Sequence, residues 1–516
     1  MKTPTKLAIA LIGVATVYTA ASWYTGTRIE AVLNAGYTKA EEMSKGKFKI
    51  EDIKFERGIF SSTSTATWST TDPSTLIMLN ALTNTEDTEK SEKSGKSDDD
   101  KKLTITMRTQ YQHGPFAGGT FALAALSSSD VEVIREKSSG NVGKLLDRFN
   151  QIFAGKQPFE MRGVYYFDGS SRSSLKGTAF NLELPAGETD KEASHISWDD
   201  FEIEATGTLD LSKLAYEGKI PKLTITYGTQ KIEIIGLALE GNQERLFENV
   251  YVGPAKFSMK GLDISLKNGN EPIDIHLKQL ASDWNTSAKD DFIDIAIRTG
   301  TESLKVANEP DFGPAHYDYS IKHLHGATLS KFLLDWQNYS NTLFSTAIIG
   351  TKYEAADTEE AKKAEKVKEA EEAKETIIAS ATELLIHAPV VSIDRFSFTT
   401  PEGEPRLSVQ TTLKDAKPED IENPVSMLSK IEANGELSVP IALVEKYAKA
   451  EGMQLVAPFV KSGFITQENG VLKTTAAFRA MQLTFNGKAF NYTNPEETLH
   501  EVLSASSEEK EEGGGK

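Results

Sequence analysis

The sequence predicts an α+β fold, predominantly an antiparallel β meander with interspersed helices, behind one N-terminal transmembrane helix. Three observations carry that prediction. Apolar and polar residues alternate with a period of two in segment after segment, separated by Gly, Asn, Asp or Pro. Helical periodicity is confined to a few stretches, and Leu7 to Tyr24, LAIALIGVATVYTAASWY, runs without a charge. Alternation repeated this often specifies hairpin-connected strands, because βαβ units need a crossover of about a dozen residues or more between strands.

Residues 1–25 read as a cytoplasmic leader and transmembrane anchor. At 1.5 Å per residue the charge-free run spans roughly 27 Å, close to the ~30 Å hydrocarbon thickness of a bilayer. Leu7, Ile9, Leu11, Ile12, Val14 and Val17 supply its apolar surface, and Trp23 and Tyr24 close it with rings suited to the headgroup layer. Lys2 and Lys6 precede the run, so the positive-inside rule leaves the N-terminus in the cytoplasm and the remainder outside. A cleaved signal peptide has a shorter apolar region followed by small residues; the length of this run and its bulky end favour an uncleaved anchor.

Residues 26–46 predict a juxtamembrane helix, with Ile29, Val32, Leu33, Tyr37 and Ala40 at helical spacing, carrying the chain off the membrane. Residues 47–326 predict a β-rich region that opens with KFKIEDIKFERGIFSSTSTATWS. A helical piece is expected near Thr75 to Leu82. Thr83 to Lys102, TNTEDTEKSEKSGKSDDDKK, holds no large apolar side chain and is expected to be a disordered loop. Alternation then resumes at Leu103, Phe159, Phe201, Leu223, Ala255, Pro272, Asp291 and His316. Residues 327–388 predict a helical segment. Its charged part pairs Glu359 with Lys362 and Lys363, and Glu371 with Lys374; its second part gains a stripe of Ile377, Ile378, Ala381, Leu384 and Leu385 suited to docking on the sheet or on another subunit. A second β-rich region, 389–503, is interrupted by a helix near Pro440 to Glu451, and 504–516 is expected to be a disordered tail.

Composition excludes several functions. The 516 residues carry a net charge of −18, which repels nucleic acid and anionic headgroups alike, so no nucleic-acid partner is expected. With no cysteine, a disulfide framework, a thiolate nucleophile and a Cys-bound zinc or iron–sulfur site are all ruled out. The 39% hydrophobic content is ample for buried cores.

Three segments together, SWYTGTRIE after the anchor, ERGIFSS at Glu56 to Ser62 and YQHGPFAGGTFALAAL at Tyr111 to Leu126, resemble the YdgA family, a domain-of-unknown-function group (DUF945) of Gram-negative bacteria. The family-like positions are Trp23, Tyr24, Gly26, Arg57, Gly58, Phe60, His113, Gly114, Pro115 and Phe116. The resemblance implies a single-pass protein of the cell inner membrane with its bulk in the periplasm. The acidic loop at Thr83 to Lys102 and the Glu/Lys-rich helix near Ala355 look like insertions peculiar to this chain. The family has no established activity to transfer.

Each candidate site has a physical reading. Gly58 between two alternating runs suggests a bulge or tight turn, with Arg57 and Phe60 on opposite sides. HGPF reads as a strand end followed by a Gly-Pro turn that opens a helix. A catalytic His113 would need an adjacent acid or nucleophile, and its sequence neighbours supply none. On a strand, His323 and His325 face the same way and could share a metal ion, with His316, Asp311 and Asp318 near in sequence, but no third ligand stands at a diagnostic spacing. Asp98 to Asp100 lacks the Gly and distal Glu of a calcium loop. GKLLD at Gly143 lacks the hydroxyl residue of a phosphate loop. No catalytic residue and no cofactor is expected.

The expected function is that of a non-enzymatic, membrane-anchored envelope protein presenting a β-rich surface to envelope proteins or to copies of itself. A carrier or conduit for lipid is the alternative, its clue being a strand apolar on both faces such as IEIIGLALE at Ile232 to Glu240. A hydrolase of envelope polymers, with paired carboxylates in a cleft, is the third class.

Overall fold

The structure, a computed structural model, describes residues 3–44, 47–72, 102–153, 155, 157–184, 194–208, 210–268, 271–307, 309–352 and 359–491. Two compact units are present, one of Met1–Leu182, Ser197–Lys219 and Ser340–Glu371, the other of Glu183–Ile196, Ile220–Tyr339 and Glu372–Lys516. Every strand pairing described below is antiparallel.

The first unit begins with α1 (Thr3–Ser44), a single helix that runs through both the expected anchor and the expected juxtamembrane segment. It is followed by β1 (Lys49–Arg57), β2 (Ser61–Thr70), β3 (Leu103–His113), β4 (Ala124–Ser127), β5 (Val131–Val133), α2 (Gly140–Ile152), β6 (Phe159–Tyr165) and β7 (Ser170–Gly177). After β8 (Phe180–Leu184) and β9 (Ser194–Trp198) come β10 (Phe201–Thr208) and β11 (Lys213–Tyr227). β1 pairs with β2 and β2 with β3; β3 then pairs with β5 at Met107–Thr109 and with β4 at Gln112–His113. The order continues through β6, β7, β10 and the Leu214–Lys219 part of β11.

The part of α1 beyond residue 25, expected as a juxtamembrane helix, packs on the sheet of this unit. Ile29 is buried with Tyr111 of β3 and Ala124 of β4, and Leu33 and Phe55 close around them. Burying an isoleucine contributes roughly 1.5–3 kcal/mol. Farther along, the Tyr37 hydroxyl lies 3.1 Å from Ser64 Oγ, its ring meets Trp68 edge-on, and Glu41 Oε1 accepts the Ile50 N–H at 2.6 Å. The residues spaced three and four apart thus lie on the sheet, and Val32 points to solvent.

In the second unit three long strands, β12 (Gln230–Phe247), β13 (Val250–Asn268) and β14 (Glu271–Lys289), have 18, 19 and 19 residues. Strands of that length extend roughly 60 Å. β14 pairs along its length with β15 (Phe292–Thr301) and β16 (Ser303–Val306) in turn. β15 pairs with β17 (Ala315–His325), and the chain then enters α3 (Gly326–Lys352) and α4 (Glu359–Leu385). The remaining elements are β18 (Val390–Phe398), β19 (Arg406–Leu413), the short helices Pro418–Glu422 and Pro424–Lys430, β20 (Ile431–Pro440), the helix Ile441–Lys461, β21 (Thr466–Glu468), β22 (Val471–Arg479), β23 (Gln482–Phe485) and β24 (Lys488–Phe490). β17 and β18, on either side of the helical segment, pair directly, so the strands before and after it belong to one unit. Pairing runs on through β19, β20 and β22 to β23 and β24.

The core of this unit gathers Val250, Ile293 and Leu324 from the strands with Leu329 of α3 and Leu384 of α4. Ile377 and Ser380 are also buried, and the helical segment packs on its own sheet through Leu384, whereas Ile378 of the expected stripe is 56% exposed. The run Ile232 to Leu239 is partly buried along its whole length, neither fully covered nor exposed.

The expected helix at Thr75–Leu82, the expected loop up to Lys101 and the tail from residue 504 lie outside the described residues. So do the side chains of Leu7, Ile9, Leu11, Ile12, Val14 and Val17. Among the described residues no helix is long and apolar enough to cross a membrane.

Candidate functional site

The three family-like segments meet in space within the first unit. β1 and β2 are joined by the turn Gly58–Phe60, closed by the Gly58 N–H to the Ser61 carbonyl at 2.9 Å. A Cβ on Gly58 would lie 2.5 Å from that same carbonyl oxygen, which explains the glycine in ERGIF. The turn presents the Phe60 carbonyl to the His113 N–H at 2.9 Å, so the end of β3 is held beside it. Gly114 follows at φ +125°, and its Cα faces Ser22 of α1, whose Oγ a Cβ there would meet at 2.5 Å. Gly26, one turn after Ser22, is similarly close-packed: its missing Cβ would lie 3.1 Å from both the Arg57 side chain and the His113 ring.

His113 is the centre of this junction. Its Nδ1 lies 2.9 Å from the Ser22 carbonyl and its Nε2 2.8 Å from Ser62 Oγ. A carbonyl only accepts, so Nδ1 carries the proton, Nε2 accepts, and the Ser62 hydroxyl donates. Burial lowers the His113 pKa, and the Arg57 charge adds to that, while the Ser22 and Ser61 carbonyls oppose it. The ring is therefore neutral near pH 7. Arg57 lies over the Trp23 ring at 4.5 Å, a cation–π contact that ties the strand end to the helix.

A serine hydroxyl bonded to an imidazole is also the arrangement that activates a nucleophile. The partner that the sequence neighbourhood of His113 lacks is thus supplied by Ser62, 51 residues away. Yet Ser62 is 1% exposed and His113 3%, so both are closed off from solvent, and the pair joins α1 to the sheet as a clamp. Ser22 Oγ, wholly buried, has no hydrogen-bond partner, so the clamp holds through the Ser22 backbone carbonyl.

HGPF does not open an α-helix. Pro115 and Phe116 lead into one 3₁₀ turn, Ala117–Gly119, because Gly118 and Gly119 take positive φ and end helical propagation; the chain then extends into β4. Around the junction, rings line up at the surface. Tyr18 of α1 lies 5.7 Å from Phe60 and 6.3 Å from Phe116, Phe116 lies 5.9 Å from Phe121, and Phe121 lies 5.0 Å from Phe167 in the turn between β6 and β7. Trp23 and Tyr24 are about half exposed.

In the second unit, His323 and His325 flank Phe292, the first ring stacked on it at 3.9 Å and the second edge-on at 5.8 Å. They are not a simple i, i+2 pair. β17 carries a bulge there, and His323 sits at φ +61°. His323 Nδ1 is bonded to the His387 carbonyl at 2.9 Å, and His325 Nδ1 lies 3.3 Å from Thr328 Oγ1. The His325 and His387 rings stack at 4.3 Å, and burial, with His325 beside it, lowers the His387 pKa. Among the described residues no group of three or more His, Asp or Glu is arranged to hold a metal ion. Asp318 and His316 pair across the sheet with Arg395 and Ser397. A shallow concavity of about 470 Å³ spans β18–β23, lined mainly by polar groups such as Asp394, Gln410, Asn434, Glu436 and Thr475.

A family model described as a bacterial protein of unknown function (DUF945) matches residues 1–493. The chain belongs to this family. The match takes in the helix α1, the motif junction and both sets of strands. Protein YdgA of Escherichia coli (strain K12) is similar to the chain, 22% identical over 469 residues that cover 86% of this chain and 83% of that protein. No solved structure matches.

Proposed function

We propose that this chain is a single-pass protein of the bacterial inner membrane whose β-rich body lies in the periplasm and presents its sheet surface to envelope proteins or to a second copy. The observation that supports it is the clamp at His113. The helix that carries the charge-free run is fastened to the first unit by Ser22, Gly26 and Ile29, so membrane attachment and the folded body form one structure instead of being separated by a flexible linker. Such a joint fixes the height and orientation of a sheet above a bilayer, which suits surface presentation. Crosslinking in intact membranes tests it: discrete dimer or heteromer bands are expected, and a chain that stays monomeric under efficient crosslinking contradicts the reading.

The apolar run Ile232 to Leu239, partly buried and not fully covered, supports a second reading, a carrier or conduit for lipid. Mass spectrometry of the detergent-purified protein separates the two: stoichiometric acyl species favour the conduit, and a lipid-free protein eliminates it.

A further inference from the structure

We infer that the first unit carries a lipid-interface collar: the loop tips bearing Phe60, Phe116, Phe121 and Phe167 insert into the headgroup–acyl boundary of the membrane that α1 enters. This rests on the reading of α1 as a membrane anchor.

Three separate loops converge here: the β1–β2 turn, the β3–β4 connection and the β6–β7 turn. Turns of this kind ordinarily carry Gly, Asn, Asp or Ser at the tip. Here each also carries phenylalanine, and Phe60, Phe116, Phe121 and Phe167 are 51%, 60%, 63% and 47% exposed. A contiguous row of exposed rings marks an interaction surface, not incidental surface hydrophobicity.

What covers the row follows from where it sits. Its innermost ring contact is Tyr18, a residue of the charge-free run that extends back along α1 to Leu7. If that run lies in hydrocarbon, the rings around Tyr18 are at the level of the interface, where aromatic side chains are most favourable. The charges beside the row are compatible with that level. The Arg162 guanidinium donates to the Gly118 carbonyl at 2.7 Å, and the Asp168 carboxylate next to Phe167 is turned onto the Ser170 N–H and hydroxyl. A collar of this kind would hold the β-body against the bilayer at several points besides the helix.

The absence of cysteine makes the test direct. Single substitutions Phe121→Cys, Phe167→Cys, Ala10→Cys and, as a control on an exposed loop, Leu211→Cys are spin-labelled. The full chain is reconstituted into phosphatidylethanolamine–phosphatidylglycerol vesicles, and collision with oxygen and with a water-soluble nickel chelate is measured. The collar predicts that the Phe121 and Phe167 labels gain oxygen access and lose nickel access relative to Leu211, with Ala10 deeper still. Loop labels that remain fully accessible to nickel while Ala10 is buried would leave the anchor standing and overturn the collar. Labels shielded from both reagents would place the rings against protein, overturning it in favour of a partner or a second copy. Nickel access at Ala10 itself would overturn the anchor and the collar together.

Discussion

Replacing His113 by Ala removes two buried hydrogen bonds and an imidazole from the joint between α1 and the sheet. Ser62 Oγ, 1% exposed, would lose its partner; a buried hydroxyl left unsatisfied costs about 1–3 kcal/mol. The Ser22 carbonyl keeps the Thr25 hydroxyl at 2.7 Å, so its loss is nearer the ordinary ~0.5–1.5 kcal/mol. With the cavity term added, His113→Ala should lower the stability of the first unit by about 3–5 kcal/mol. His113→Asn retains a donor near Ser22 and should cost about half as much. The pH dependence gives an independent sign. Folded His113 titrates below the ordinary histidine value because it is buried. The unfolded chain therefore binds the extra proton as pH falls below about 6.5. Stability from this group is fully present above that value and is lost, at up to about 1.4 kcal/mol per pH unit, until the folded pKa is reached. Denaturant unfolding in detergent measures both effects. A Trp284→Phe, Trp336→Phe background leaves Trp23, Trp68 and Trp198, all in the first unit, as reporters among the five tryptophans. A loss under ~1 kcal/mol for His113→Ala would refute the clamp, as would an acid slope unchanged in His113→Asn.

Further outcomes follow from single contacts. Gly114→Ala should destabilise the same unit by about 2 kcal/mol or more, because it combines left-handed strain with the clash on Ser22, whereas Gly119→Ala, at φ +78° in open space, should cost only about 1 kcal/mol; the same unfolding assay ranks them. Ile293→Ala, at a wholly buried position in the second core, should lower stability by about 2–5 kcal/mol, read from the denaturation midpoint in a Trp23→Phe, Trp68→Phe, Trp198→Phe background that leaves Trp284 and Trp336 as reporters. Breaking the exposed Lys331–Glu383 pair with Lys331→Ala should change that midpoint by no more than about 0.5 kcal/mol. With both Nδ1 atoms of His323 and His325 engaged, elemental analysis of the purified protein should find no stoichiometric metal; bound metal abolished by His323→Ala with His325→Ala would contradict this.

Period-two alternation located the strands well, since a sheet with one wetter face writes its register directly into the residue pattern. The turn at Gly58 was legible for the same kind of reason: the backbone carbonyl of Ser61 leaves no room for a side chain. The helix Gly140–Ile152 is not among the expected elements although Val142, Leu145, Leu146 and Phe149 stand at helical spacing, because Gly140 and Gly143 in its first turn weaken the helical signal. The pairing of β17 with β18 across more than sixty intervening residues has no local signature, and neither does the convergence on His113 of Ser22 and Ser62, 91 and 51 positions away. The facing rule for His323 and His325 was altered by a bulge that alternation does not reveal. The motif residues were visible as motifs; their common purpose, a joint between helix and sheet, needed the tertiary contacts.

We propose that α1 anchors a β-rich body on the outer side of the inner membrane. Protease added to spheroplasts tests it most directly: digestion of nearly the whole chain is expected, with only a short N-terminal fragment retained in the membrane pellet. A full-length chain protected until the membrane is dissolved would contradict it.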